Sequence, residues 1–243
     1  MKINVNSVTT GFGFAALFFT ISCGMNGKSI TGSGNVITQS RNVTAQFDRI
    51  DSKNGIDVVI VQSENPGITV EADDNVIEHI HTEISGNTLK INSDFNEYNN
   101  VTSKKVTIKM INLEGIDASG GTHITTEGSI KGEKLKINAS SGSDLELQLE
   151  VEDISCEASS GSHVRLSGKA LKLETSTSSG SKIDCLELLA NEVEANASSG
   201  STIRVHPILR LNAEASSGGS IKFSGDPKEI KKDESSGGSV SAN

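Results

Sequence analysis

Large rings are nearly missing from this chain: 243 residues carry seven Phe, one Tyr and no Trp. Aromatic side chains bury roughly 150–250 Å² each and usually dominate cores, so the interior here has to come from Val, Ile, Leu and Ala. Phe12, Phe14, Phe18 and Phe19 crowd at the start, which leaves Phe47, Phe95, Tyr98 and Phe223 for everything else. Platforms for stacking nucleobases or sugar rings are correspondingly scarce. A basic excess is lacking too. The 22 Lys and Arg stand against 31 Asp and Glu, a formal charge of −9, which repels phosphate backbones and disfavours a nucleic-acid partner. Collagen and coiled-coil periods are absent, and no Gly-Gly-x-Gly-x-Asp nonapeptide announces a calcium-filled roll. The length suits one or two domains.

The one apolar run, Phe12 to Ile21, is about ten residues, too short to span a hydrocarbon core of about 30 Å and of the length of a signal-peptide apolar region. Lys2 precedes it, and Thr20-Ile21-Ser22-Cys23 resembles a loose bacterial lipobox. In such signals the Cys is diacylated and becomes the new N-terminus, and two acyl chains give stable anchoring. The expectation is therefore a signal over residues 1–22 and lipidation of Cys23. An ordinary secretory signal and a plain apolar tail are the alternatives. Cleavage there removes Lys2 and takes the formal charge from −9 to −10. Residues 23–34, small and polar, read as a flexible tether.

What the chain has in abundance is a repeat. Ser-Ser-Gly or a close variant recurs with its Gly at 121, 142, 161, 180, 200, 218 and 237. The gaps are 21, 19, 19, 20, 18 and 19 residues. Three residues after the Gly stand Ile124, Leu145, Val164, Ile183, Ile203, Ile221 and Val240. Three before it stand Ala118, Ala139, Ala158, Thr177, Ala197 and Ala215. Polar residues alternate with these, and a period of two on both sides of a turn means strand, turn, strand. A string of hairpins would not need equivalent positions to match. A parallel β-helix stacks each position on its own equivalent about 4.8 Å away, which requires one residue class per column. The expected fold is all-β, a right-handed parallel β-helix with ~19-residue coils, in which residues 113–243 form the Ser-Gly repeat part, continuous with a β-rich part over 35–112. Open terminal coils invite edge pairing. Lys232 and Glu234, at inward positions of the last copy, either blunt that edge or mark a fraying end.

Several side-chain groups are of types that could carry chemistry. Glu146, Arg165, Asp184, Arg204 and Lys222 share one outward ladder, expected to be ion pairs between coils and the candidate binding surface if one lies there. A Ser row two before each Gly (Ser119, Ser140, Ser159, Ser178, Ser198, Ser216 and Ser235) is expected to satisfy turn carbonyls, a repetitive ligand being the alternative. His79 and His81 read as exposed side chains, with a metal shared with Glu78 or Glu83 as the sharper reading. His123 and His163 lie two coils apart, about 10 Å, too far for one ion. Cys156 and Cys185 are expected as buried free thiols rather than a disulfide, because they belong to different walls. No cofactor or metal is expected, and no catalytic constellation stands out.

Residues 35–112 hold short β-runs without the Ser-Ser-Gly mark. Here Gly32-Ser33-Gly34-Asn35-Val36, Phe47-Asp48-Arg49-Ile50, Gly55-Ile56-Asp57-Val58 and Val70-Glu71-Ala72-Asp73-Asp74-Asn75, followed by the repeats, resemble the putative auto-transporter adhesin, head GIN domain family of Bacteroidota lipoproteins. Asp57 stands where that family's name-giving motif has Asn. The resemblance covers about residues 30–240. It implies a right-handed β-helix shaped like pectin lyases without their catalytic residues, and a role in adhesion. The resulting expectation is a non-enzymatic, lipid-anchored protein of the outer membrane. Its partners would be the membrane, through Cys23, and a glycan or protein ligand, with homo-oligomerisation open. A pectin-lyase-like enzyme with a site in 35–112 and a periplasmic envelope-maintenance role are the alternatives. Surface export of such lipoproteins uses acidic residues just after the acylated Cys. Gly24-Met25-Asn26-Gly27-Lys28 has none, so the membrane face stays open.

Overall fold

The computed structural model describes residues 27–243; Cys23 and the segment before it lie outside the described residues. The chain is a stack of parallel β-coils. Each full coil is one long strand bent at its middle, as in Asp144–Ala158, His163–Thr177 and Lys182–Ala197, and successive strands pair in parallel, residue on equivalent residue. Alternation does the work. Leu145, Leu147, Leu149, Ile154, Cys156 and Ala158 point inward and are buried, while Glu146, Gln148, Glu150 and Glu157 point out. Each fully buried Leu, Ile or Val stabilises the stack by roughly 1.5–3 kcal/mol relative to exposure.

The Ser-Ser-Gly corner is a tight turn with two left-handed residues. At residues 140–143, Ser141 has φ 53° and Gly142 φ 73°, and the Ser143 N–H donates to the Ser140 carbonyl at 3.2 Å. A left-handed conformation costs a non-glycine residue about 1–2 kcal/mol. Stacking offsets it here, because the Gly142 N–H donates to the Ser160 carbonyl of the next coil at 3.2 Å, and the same bond recurs up the stack. Asn54-Gly55 makes the same turn (φ 65° and 71°) and lies in the same column, since Asp57 pairs with His123 and Ser52 with Ala118. The turn ladder thus extends into the half of the chain that lacks the repeat mark.

Order in space departs from order in sequence at the N-terminal end. The coil made by Arg49–Ser52 and Asp57–Gln62 lies between the coil of Gly115–Ala118 and His123–Glu127 above and that of Thr88–Ser93 and Lys104–Met110 below. Antiparallel strands then finish the walls: Gly67–Asp73 on Lys104–Met110, Val36–Arg41 on Gly67–Asp73, and Ile80–Ser85 on Thr88–Ser93. Buried Val76, Ile77 and Ile80, around a single 3-10 turn at Ile77–His79, cover the core at this end.

The other end is finished by charge. Lys232 and Glu234 occupy the columns of Ala213 and Ala215. Lys232 Nζ lies 4.8 Å from the centroid of the Phe223 ring and donates to the Val240 carbonyl, while Glu234 accepts from the Val240 N–H. The last coil is therefore ordered, with strands at Glu229–Glu234 and Ser239–Ala242. Among the described residues no helix is long and apolar enough to cross a membrane.

The expected tether differs from what the structure shows within residues 27–34. Ser29–Thr31 is a strand paired in parallel with Glu97–Asn99, and the Gly32 N–H donates to the Asn99 carbonyl at 2.9 Å. Composition misleads here because Gly32 is needed for close approach rather than for looseness. A Cβ on Gly32 would meet the Asp73 carboxylate at 2.4 Å and the Asn100 carbonyl at 2.7 Å.

Candidate functional site

The motif residues of the first half interlock with one another. Asp73 is buried, and its carboxylate accepts from the N–H groups of Gly34 at 2.8 Å, Thr102 at 2.9 Å and Ser103 at 3.0 Å. Burial pushes its pKa up, but these three donors outweigh that and hold it below the usual carboxylate range. Next to it, Asp74 accepts from Ser33 Oγ and Asn35 Nδ2, and Asn75 bonds the Ser33 N–H and the Thr31 carbonyl. Asp57 pairs with Lys104 at 2.9 Å, while Phe47, Ile50, Ile56 and Val58 are core. Every one of these groups is engaged within the chain.

The ladder of Glu146, Arg165, Asp184, Arg204 and Lys222 forms one outward column in register. Arg165 approaches Glu146 at 3.9 Å, and Asp184 takes Arg204 at 3.0 Å and Lys182 at 3.4 Å. Asp184 is partly buried, which raises its pKa, yet the Leu186 N–H, Arg204 and Lys182 bring it below its ordinary value. A second column, eight residues before each Gly, escaped the sequence reading: Lys134, Asp153, Lys172, Glu192, Arg210 and Glu229 alternate in sign coil by coil. Arg210 bridges Glu229 at 2.9 Å and Glu192 at 3.4 Å. Constant spacing from the Gly was the signal that would have revealed it.

The hydroxyl row that satisfies the corners is not the expected one. Oxygens one residue after the Gly do it: Ser162 Oγ donates to the Ala139 carbonyl at 3.0 Å and the Ser159 carbonyl at 2.9 Å, and Ser201 Oγ to those of Thr177 at 3.0 Å and Ser198 at 2.7 Å. Ser181 repeats both bonds, while Thr122 donates to the Ser119 carbonyl and Ser143 to that of Ala118; all three are buried. The serines two before the Gly supply the accepting carbonyls instead.

His79 and His81 are brought together by Asp94, not by Glu78 or Glu83. His79 Nδ1 and His81 Nε2 each lie 3.0 Å from one of its oxygens, and these bonds hold Asp94 below the usual carboxylate pKa. Asp144 similarly stands between His123 at 3.7 Å and His163 at 3.9 Å. Among the described residues no group of three or more His, Cys, Asp or Glu is arranged to hold a metal ion. Cys156 and Cys185 are buried and unbonded; burial pushes the Cys156 thiol up to about 12 and Cys185 well above its ordinary value.

Unsatisfied surface concentrates at the bend, half a coil from the Ser-Gly corners. Leu171, Leu189 and Ile208 come from three successive coils and are 53%, 39% and 42% exposed. With Val151 and Ala170 they line an open groove of about 450 Å³ rimmed by Glu150, Glu152, Lys169 and Asn191. Further along, Phe47 and Met110 lie under a depression of about 720 Å³ between residues 43–48 and 110–112. The apolar strip has no fixed spacing from the Gly, because the coils change length at the bend; register shifts occur beside Cys185 and Ala190.

Such a molecule, with hydrogen-bonded corners, partly ion-paired polar columns and an apolar groove at the bend, is a capped parallel β-solenoid that presents a periodic surface. The chain belongs to the family described as "Putative auto-transporter adhesin, head GIN domain", whose profile matches residues 46–227. No curated protein shows significant sequence similarity to it. Solved structures share the fold. A putative adhesin from Bacteroides fragilis NCTC 9343 superposes with a TM-score of 0.80 at 22% identity, over 88% of this chain and 100% of that one. A putative adhesin from Parabacteroides merdae ATCC 43184 gives 0.69 at 21%, over 88% and 99%. A putative lipid binding protein from Parabacteroides distasonis ATCC 8503 gives 0.68 at 23%, over 89% and 100%.

Proposed function

We propose that this is a non-enzymatic binding protein of the cell envelope, anchored in the outer membrane through acylated Cys23, whose ligand is a protein held along the bend-side strip. The observation that carries the site is the convergence of exposed Leu171, Leu189 and Ile208, from three successive coils, on one groove, while Glu192, Arg210 and Glu229 beside it pair with one another. An aliphatic strip without rings suits apolar side chains of a partner better than sugars. The adhesin names of the structural relatives support binding as the activity. The ladder from Glu146 to Lys222 then keeps coils in register, and is the second surface to test. The lipid-binding name of one relative makes an acyl chain the competing occupant.

The test is saturable binding of the mature domain to a panel of envelope proteins, glycans and fatty acids. Leu171→Lys with Leu189→Lys should abolish protein binding while leaving circular dichroism unchanged. Binding that survives these changes sinks the strip as the site, and retention of fatty acid alone replaces the occupant. For the enzyme alternative, the carboxylates of Asp73, Asp74 and Asp94 are already taken up in structural bonds. Release of reducing or unsaturated ends from polyuronides would revive it. Protease shaving of whole cells separates a surface protein from a periplasmic one.

A further inference from the structure

The leash between a lipidated Cys23 and the folded domain is very short. Three residues, 24–26, stand between Cys23 and Gly27. From Lys28 onward the chain is pinned: the Lys28 carbonyl accepts from the Asn96 N–H at 3.0 Å, Ser29–Thr31 pairs with Glu97–Asn99, and Asn75 Nδ2 holds the Thr31 carbonyl at 2.8 Å. Five Cα steps, from Cys23 to the pinned Lys28, span at most about 18 Å even when fully extended. That exceeds one headgroup layer of roughly 5–8 Å by only about 10 Å, so the first pinned residue stays close to the membrane surface. A tether reaching to residue 34 would have let the domain tumble, but the observed pairing removes that freedom.

A second, independent feature lies at this same end. The outermost strand there, Val36–Arg41, is exposed along its length and has a neighbour only on its Gly67–Asp73 side. It presents Val36 and Ile37, 39% and 40% exposed. Those two aliphatics lie two and three residues beyond the Gly34 that Asp73 clamps. An exposed aliphatic edge beside an acyl anchor fits the boundary between headgroups and acyl chains.

We infer that the N-terminal end of the solenoid, with the Val36–Arg41 edge, is a membrane-facing surface, so that the coils rise from the bilayer along their stacking axis. The partner is the lipid surface itself. This rests on the acylation of Cys23 proposed above. The opposite end, at Ser239–Ala242, then stands away from the membrane by about ten strand spacings, on the order of 45–50 Å. The bend-side strip and both charged ladders run along the membrane normal.

The experiment uses full-length acylated protein in vesicles carrying a headgroup-linked energy acceptor. A single fluorophore is placed at Glu97→Cys or at Ser241→Cys; Cys156 and Cys185 are buried and stay unlabelled. Strong quenching is expected at residue 97 and little at 241. A 30-residue Gly/Ser insertion after Asn26, with a root-mean-square span of roughly 30 Å, should erase most of that difference. Equal quenching at both sites in acylated protein overturns the orientation alone. A mature N-terminal peptide without acyl mass overturns the anchoring and the orientation together.

Discussion

The Asp73 carboxylate accepts the Gly34 N–H at 2.8 Å, which ties the segment leading into the fold to a strand 39 residues further on. Its other oxygen takes the Thr102 and Ser103 amides, so one buried charge closes two loops at the N-terminal end. Asp73→Ala should cost roughly 3 kcal/mol or more, since each bond to a charged group contributes about 1.5–3 kcal/mol net. Urea denaturation at neutral pH measures it. The folded-state pKa of Asp73 is depressed. Its contribution is therefore fully present above the unfolded carboxylate value of about 3.9 and is lost as pH falls through the lower folded value. Asp73→Asn should lose stability at pH 7 and show a weaker acid dependence than the parent protein. An unchanged dependence would refute the clamp.

Gly168 and Gly142 separate a clash from a strained backbone. At Gly168, φ is +112° and a Cβ would lie 2.0 Å from the Leu149 carbonyl oxygen of the coil below. At Gly142, φ is +73° and a Cβ would meet nothing within 4 Å. Gly142→Ala should cost about 1–2 kcal/mol. Gly168→Ala must displace backbone and should cost more than about 4 kcal/mol or prevent soluble expression. Thermal melts of the two variants give the comparison, and equal melting temperatures would contradict it.

The two thiols should be silent in the native state. Cys156, raised to about 12, and Cys185, raised well above its ordinary value by burial, hold essentially no thiolate at pH 8, and neither is exposed. A disulfide-exchange reagent should titrate neither thiol in the folded domain 24–243 and both in guanidinium. Mass analysis without reductant should show two free thiols.

Lys232 and Glu234, charged at the open end of the stack, are expected to keep the last coil from acting as a template. Lys232→Ala with Glu234→Ala would continue the Ala213 and Ala215 columns to the open end. An uncharged terminal coil exposes unpaired strand edges. Concentration-dependent oligomers should then appear in light scattering, with the parent's oligomeric state unchanged over the same range. Absence of any new association would show that the charges serve only the Val240 contacts.

Legibility followed periodicity. Positions at fixed distance from the repeating Gly, such as Leu145, Val164 and Ile183 or the ladder from Glu146 to Lys222, could be placed in columns before any coordinates, because stacking forces equivalents onto equivalents. The alternating Lys134-to-Glu229 column obeyed the same rule and was overlooked. The hydroxyl row was misassigned by three residues, since composition says that Ser lines the corner but not which Ser turns its oxygen inward. The Leu171, Leu189 and Ile208 strip was hidden for a physical reason: the bend absorbs the differences in coil length, so no constant offset connects the three.

By itself the amino-acid sequence determined the solenoid, its coil length, its aliphatic core and the near-absence of rings, since a period-two pattern repeated every ~19 residues satisfies its apolar columns only by stacking. Only the tertiary structure decided how the first half joins that stack. The coil at Arg49–Gln62 is inserted between later segments, and its Asn54-Gly55 turn continues a ladder whose other members are 66 or more residues away. It also decided that Gly32-Ser33-Gly34 is clamped rather than loose. Both depend on contacts between segments far apart in the chain, which local pattern does not encode: strand pairing places the Arg49–Gln62 coil, and the buried Asp73 carboxylate holds Gly34.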